Sequence, residues 1–192
     1  MKTLVCFGDS NTWGYVPGSE GERFPPGVRW SGRLAQALRD DWEVIAEGLN
    51  GRTAAVDSPV EEGRNGLPYF LPCLRSHKPV DLVAISLGTN DVNFLSDELV
   101  ARSVARLVKV ALHSETGPGG GAPAVLVVCP PAIGDRRLGA AFAAWLEPLE
   151  CELLDLEGVA RYSEHDLEHF DAEAHAAVAT ALEERVRTLV PS

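Results

Sequence analysis

Five short apolar runs, each separated from the next by a segment of different pattern, restrict this chain more than any other feature. They are "TLVCFG" at 3–8, "WEVIAEG" at 42–48, "DLVAISLG" at 81–88, "AVLVVCP" at 124–130 and "CELLDLEG" at 151–158. All are rich in Val, Ile and Leu, and most close on Gly or Pro. Near-continuous apolar runs of this length suit strands covered on both faces, as in a parallel sheet. Helical patterns lie between them. Trp30, Leu34 and Leu38 recur at helical spacing. Leu99, Val100, Val104, Leu107, Val108 and Ala111 form a second apolar stripe, behind Ser96 as N-cap and with Asp97 and Glu98 in the first turn. A shorter helix fits 136–147. A last one starts near Asp171 and carries Val178, Leu182, Val186 and Leu189 on one face. This alternation predicts a three-layer α/β fold with right-handed crossovers.

In open sheets of that kind, ligands sit beyond the carboxyl ends of the strands. Residues that do chemistry are therefore expected just after strands. Two long loops, 14–27 and 54–68, follow strands one and two and would border such a site. The stretch "TGPGGGAP" at 116–123 precedes strand four and reads as a connector at the opposite end. With 192 residues the chain is expected to form a single domain, 1–192. It has 17 basic and 28 acidic residues, a formal net charge of −11, which disfavours nucleic acid and anionic membranes as partners. No apolar run approaches the roughly 18 residues of a membrane span. The start "MKTLVCFGDS" lacks the h-region of a secretory signal. Cys6, Cys73, Cys129 and Cys151 have neither metal-ligand nor redox spacing. They read as buried free thiols, which points to a reducing cytoplasm.

The strand ends carry a distinctive inventory. Strand one gives way to Gly8-Asp9-Ser10-Asn11, strand two to "GLNGRT" at 48–53, and strand three to "GTND" at 88–91. "EHDLEHFD" at 164–171 follows strand five. Gly, Asp, Ser and Asn are ordinary turn residues, and Ser10 could simply cap a helix. Acyl transfer, however, needs this set. A serine hydroxyl is a weak nucleophile until a base takes its proton. A histidine can be that base, and a carboxylate orients it. Backbone N–H groups or an asparagine amide then hold the oxyanion. Asp166 and His169 are three apart, a spacing that brings side chains together in a turn. Taken alone, that pair also fits a solvated acidic loop. His165, beside Asp166, is a rival base, and His175 is another. His77 and His113 read as surface residues, as does Arg52. Asp9 and Asp91 read as anchors of their turns, Asn50 and Asn93 as turn residues. Trp13, Tyr15, Phe24 and Trp30 flank the first long loop, where aromatics either line an acyl or aryl pocket or pack the loop onto a helix. His and Asp cluster only at 164–175, so no metal site is expected.

"GDSNTWG", "GLNGRT", "GTND" and a late Asp-x-x-His, in this order, resemble the block pattern of the SGNH/GDSL hydrolases. More narrowly, "CFGDSNTWGY", "EGLNGRT" and "DLVAISLGTND" resemble its arylesterase and acyltransferase branch. The likeness runs over most of 3–130 and returns at 166–175. It implies a flavodoxin-like sandwich with a five-stranded parallel sheet, no cofactor, and a small-molecule ester as substrate. Carried over by position, it implies Ser10 as nucleophile, His169 as base and Asp166 as its orienter. The oxyanion hole would be the N–H of Ser10, the N–H of Gly51 and the side chain of Asn90, although Gly48 lies in the same block as Gly51. Trp13 and Tyr15 would contact substrate. Only residues 131–150 separate strands four and five, fewer than the arylesterase-like relatives typically carry, so the likeness leaves open the wall of the acyl pocket and a homo-oligomer of the family kind.

The expectation is a serine esterase acting on short-chain acyl or aryl esters through an acyl-enzyme, with acyl transfer to an alcohol as a variant using the same residues. A carbohydrate or lipid acylesterase of the same fold is an alternative. From another class, so is a non-catalytic flavodoxin-like binding module; the G-x-G-x-x-G and P-loop fingerprints that would favour it do not follow strand one.

Overall fold

The computed structural model describes residues 1–190. Its strands are β1 (Lys2–Gly8), β2 (Trp42–Gly48), β3 (Leu82–Ser86), β4 (Ala124–Cys129) and β5 (Glu152–Asp155). All pair in parallel, in the order β2-β1-β3-β4-β5. The helices are α1 (Ser10–Trp13), α2 (Trp30–Leu38), α3 (Leu67–Ser76), α4 (Asp97–Leu112), α5 (Gly139–Leu146) and α6 (Ala172–Leu189).

Period-two alternation explains why the central strands are apolar throughout. Val5, Phe7, Val83, Ile85, Val125 and Val127 enter one core with Phe70 of α3, Val104 of α4 and Phe142 of α5. Leu4, Cys6, Leu82, Ala84, Leu126 and Val128 enter the other with Leu34 of α2 and Val178 and Leu182 of α6. Each central strand thus feeds two layers, and a polar residue at either parity would be buried. At the sheet edge, β2 is only partly covered and accommodates Glu43 and Glu47.

Several boundaries differ from the sequence reading, each for a local reason. β5 ends at Asp155 rather than 158, because the Asp155 carboxylate accepts the N–H of Glu157 at 2.9 Å and turns the chain. α5 begins at Gly139 rather than 136, since Ile133 and Arg136 pair with each other across a tight turn. α3 is an element the apolar pattern does not announce: Pro68 and Pro72 interrupt it. Pro68 is tolerated in the first turn, where no N–H is required.

β1 has β2 along one edge and β3 along the other, so a topological switch point opens between β1 and β3. Gly8 is in register with Gly48 and with Ser86. The turns that follow these three strands therefore emerge side by side. The connector at 116–123 lies at the opposite end, where the Thr116 carbonyl accepts the N–H of Val80 at 2.8 Å.

Candidate active site

The first turn past β1 is held by its own carboxylate. Asp9 caps α1, accepting the N–H of Asn11 at 2.9 Å. It is 2 % exposed, and burial pushes its pKa up to about 6 despite that bond. Asp91, fully buried, accepts the N–H of Ala54 with both oxygens and is pushed by burial up to about 7. Asp91 thus ties the turn after β3 to the loop after β2, whereas Asp9 anchors its own turn. This places Ser10 at the start of α1.

The segment after β5 supplies the partners. His169 Nε2 lies 3.0 Å from Ser10 Oγ, and His169 Nδ1 lies 2.9 Å from Asp166 Oδ2. Burial tends to raise the Asp166 pKa. Hydrogen bonds from the His169 ring and from the N–H groups of His169, Glu168 and Gly18 outweigh it and hold the carboxyl below its ordinary value. Asp166 therefore remains an acceptor. Tyr15 stacks on the His169 ring, with centroids 4.3 Å apart, and its hydroxyl donates to the Ser19 carbonyl. Trp13 lies beyond Tyr15, and the Arg23 guanidinium sits over its ring.

The turn after β2 separates the two glycines of its block. Gly48 ends the strand, packed so closely under α1 that a Cβ would stand 2.2 Å from Trp13 N. Gly51 lies in the loop beyond, with φ +71°, inside a turn closed by Arg52 N–H to Leu49 O at 3.1 Å. Asn90, 8 % exposed, donates through Nδ2 to the Arg52 carbonyl at 3.1 Å. That bond uses one of the two amide hydrogens and leaves the other for a further acceptor. Ser10, Gly51 and Asn90 thus come from the three turns aligned at the switch point.

Arg52 is not a surface residue. It is 4 % exposed, donates to the carbonyls of Gly8 (2.9 Å) and Glu47, and lies over the Phe7 ring. It bolts the ends of β1 and β2 together. Trp30 is core, 1 % exposed, and Phe24 packs edge-on against His175. His175 is itself buried, with Nδ1 accepting the N–H of Trp30. His165 is exposed. His113 bonds its own helix at Lys109 O, while His77 pairs with Glu47 and is only partly exposed.

Among the described residues, one group has donors of a kind that suit a metal ion. Glu47, Cys73 and His77 bring one ligand atom each to within 4.8 Å of one another. His77 Nε2 is already bonded to Glu47 Oε1 at 2.8 Å, and Tyr69 donates to Glu47 Oε2. Burial pushes the Cys73 thiol up to about 12, away from the thiolate a metal requires. The arrangement reads as a hydrogen-bonded His77–Glu47 pair over a buried thiol. Separately, an open groove of about 440 Å³ runs past Pro131, Glu157, Arg161 and Asp171 and contains none of Ser10, Asp166 or His169.

Asn11 is a site residue that sequence reasoning missed. Its partners lie 157 and 159 residues away, so no local spacing announces them.

The model of the GDSL-like lipase/acylhydrolase family matches residues 6–178. Among solved structures, an aryl esterase of M. smegmatis is 37 % identical, with 99 % of this chain and 100 % of that one covered and a TM-score of 0.92. Est24, a carbohydrate acetylesterase from Sinorhizobium meliloti, is 31 % identical over 99 % and 100 % of the two chains, with a TM-score of 0.91. No curated protein matches the sequence.

Proposed function

Because the chain belongs to the GDSL-like lipase/acylhydrolase family, the SGNH hydrolases, and is a carboxylic ester hydrolase of that family, we propose that Ser10 is its nucleophile, His169 its general base and Asp166 the group that orients the base. The observation that carries the reading is the continuous chain from Ser10 Oγ through His169 to Asp166, with links of 3.0 and 2.9 Å.

With the imidazole proton on Nδ1, the ring donates to Asp166 and Nε2 accepts from Ser10. As Oγ bonds to the ester carbonyl carbon, its proton passes to Nε2 and the carbonyl π electrons move onto oxygen. The N–H groups of Ser10 and Gly51 and the free Asn90 amide hydrogen receive that oxyanion. Collapse breaks the bond to the alcohol oxygen, which takes the proton from the imidazolium and departs. Water then attacks the acyl-enzyme by the same route and releases the acid. An alcohol in its place yields a new ester. Asp166, kept ionised by its hydrogen bonds, stabilises the imidazolium in both halves.

The substrates we assign are small esters of short acyl chains, on aryl or sugar alcohols, in keeping with the aryl esterase and the carbohydrate acetylesterase among its relatives. We assign Trp13 and Tyr15 to contact with such an alcohol, a reading supported by the stacking of Tyr15 on the His169 ring. We read residues 1–192 as one hydrolase domain. The four cysteines are free thiols, which supports a cytoplasmic setting, and no described helix is long and apolar enough to cross a membrane.

The test is hydrolysis of p-nitrophenyl acetate, butyrate and octanoate by wild type and Ser10→Ala. Turnover that falls to background in a folded Ser10→Ala protein supports the assignment. A variant that keeps the wild-type rate refutes it.

A further inference from the structure

The residue after the nucleophile reaches across to the loop that carries the base. The Asn11 side chain accepts the N–H of Phe170 on Oδ1 at 2.8 Å and donates from Nδ2 to the Glu168 carbonyl at 3.1 Å. Those two groups flank His169 on either side in sequence. One amide therefore grips both peptide units adjoining the base, and Asn11 is 3 % exposed, so water does not compete for these bonds.

From this geometry we infer that Asn11 is a positioning residue, a clamp that sets the distance and angle of His169 against Ser10. The inference rests on His169 being the base. Few other contacts do the same work. The His169 N–H is held by Asp166 Oδ1 at 3.0 Å, and the His169 carbonyl accepts from Ser163 N–H at 2.8 Å. Both of those bonds lie within the loop itself. They shape it but do not tie it to β1. The Asn11 amide ties the peptides beside His169 to the residue covalently next to Ser10, within the same helical turn, while the Gly18 N–H holds only the Asp166 carboxylate, at 3.0 Å. Fixing the backbone at both sides of His169 limits how its ring can swing, and the 3.0 Å contact of Nε2 with Oγ depends on that ring direction. Tyr15, stacked on the ring, limits its tilt but bonds neither neighbouring peptide.

A loosened clamp displaces the base without removing any group that binds substrate. Misplacement of a reacting group by about 1 Å costs on the order of 100-fold in rate. Asn11→Ala is therefore expected to lower kcat for p-nitrophenyl acetate by roughly 10- to 100-fold while KM stays within about twofold. The deciding experiment is a double-mutant cycle of wild type, Asn11→Ala, His169→Ala and the double variant, with thermal midpoints recorded alongside. If Asn11 acts through His169, its removal has no further effect once the base is gone. The low-field Nδ1–H proton resonance of His169 is also expected to broaden or vanish in Asn11→Ala. Asn11→Asp keeps the acceptor for Phe170 N–H and loses the donor to Glu168 O. It is expected to fall between wild type and Asn11→Ala, and it takes the same cycle if Asn11→Ala does not fold.

Equal losses from Asn11 substitution with and without His169 would overturn the clamp, as would an Asn11→Ala enzyme with wild-type kcat. Full activity in His169→Ala is a different failure: it removes the base assignment itself.

Discussion

At the scale of single residues, the account depends on hydrogen bonds whose direction matters. Asp166 must accept from His169 Nδ1 so that Nε2 is free to accept from Ser10. Asp166→Asn places an amide donor opposite Nδ1, drives the ring proton to Nε2 and gives up the bond from the Gly18 N–H. Its kcat is expected to fall by about 10,000-fold with little change in KM, measured on p-nitrophenyl acetate. In the proposed mechanism Asn90 supplies an amide hydrogen where charge develops. Asn90→Ala is expected to cost roughly 100- to 1,000-fold in kcat, again with KM nearly constant; a loss confined to KM would contradict an oxyanion role. Ser10, Asp166, His169 and Asn90 were legible because each follows a strand or sits in a short block of fixed spacing. Asn11 and Arg52 were not. Their side chains act on backbone carbonyls and N–H groups of other segments, and such bonds leave no pattern in the residue types around them.

Among the elements, α1 decides whether the site exists. It is only four residues long, and it is wedged between strand ends at two glycines. A Cβ at Gly8 would stand 2.0 Å from Thr12 Oγ1, and one at Gly48 would stand 2.2 Å from Trp13 N. A methyl group at Gly48 must push α1, and Ser10 with it, away from the β2 turn. Gly48→Ala is expected to lose about 1–3 kcal/mol of stability and most of its esterase activity, read by denaturant unfolding and by kcat on the same sample. Unchanged stability and rate would show that α1 is not seated as described. The central strands were legible from the apolar runs because burial on both faces removes polar options there. The helices that resisted reading are those whose pattern is broken: α3 by its prolines, and α5 by the Ile133–Arg136 turn that delays its start.

Across the whole molecule, two cores back one sheet, and the groups buried with them set how stability responds to acid. His175 is fully buried, its Nδ1 bonded to the Trp30 N–H, and burial lowers its pKa from 6.5 to about 4. The unfolded chain takes up that proton first, so the stability contributed by neutral His175 is complete above pH 6.5 and is lost as the pH falls through about 4. Asp9 and Asp91, raised to about 6 and about 7, act in the opposite sense: their contribution is present below the ordinary carboxylate range and is lost as the pH rises through those values. Subtracting the unfolding free energy of His175→Asn from that of wild type isolates the histidine. The difference is expected to decline by about 3 kcal/mol between pH 6.5 and 4; a difference that does not vary with pH would contradict the buried neutral ring. The three-layer order was legible from the alternation of runs, and the position of the site from the rule that strand ends bind. What joins the segment at 164–171 to the turn after β1 is a set of long-range hydrogen bonds made by Ser10, Asn11 and Gly18, which the sequence does not display. The central claim, that this union makes Ser10 a nucleophile, is tested most directly by treating the intact protein with an aryl phosphonate ester and mapping the adduct by peptide mass spectrometry. The account predicts one covalent phosphonyl group, on Ser10, with activity lost in proportion to labelling and little labelling in His169→Ala. Complete inactivation with the label on another residue, or an unlabelled Ser10 in a protein that still hydrolyses esters, would contradict it.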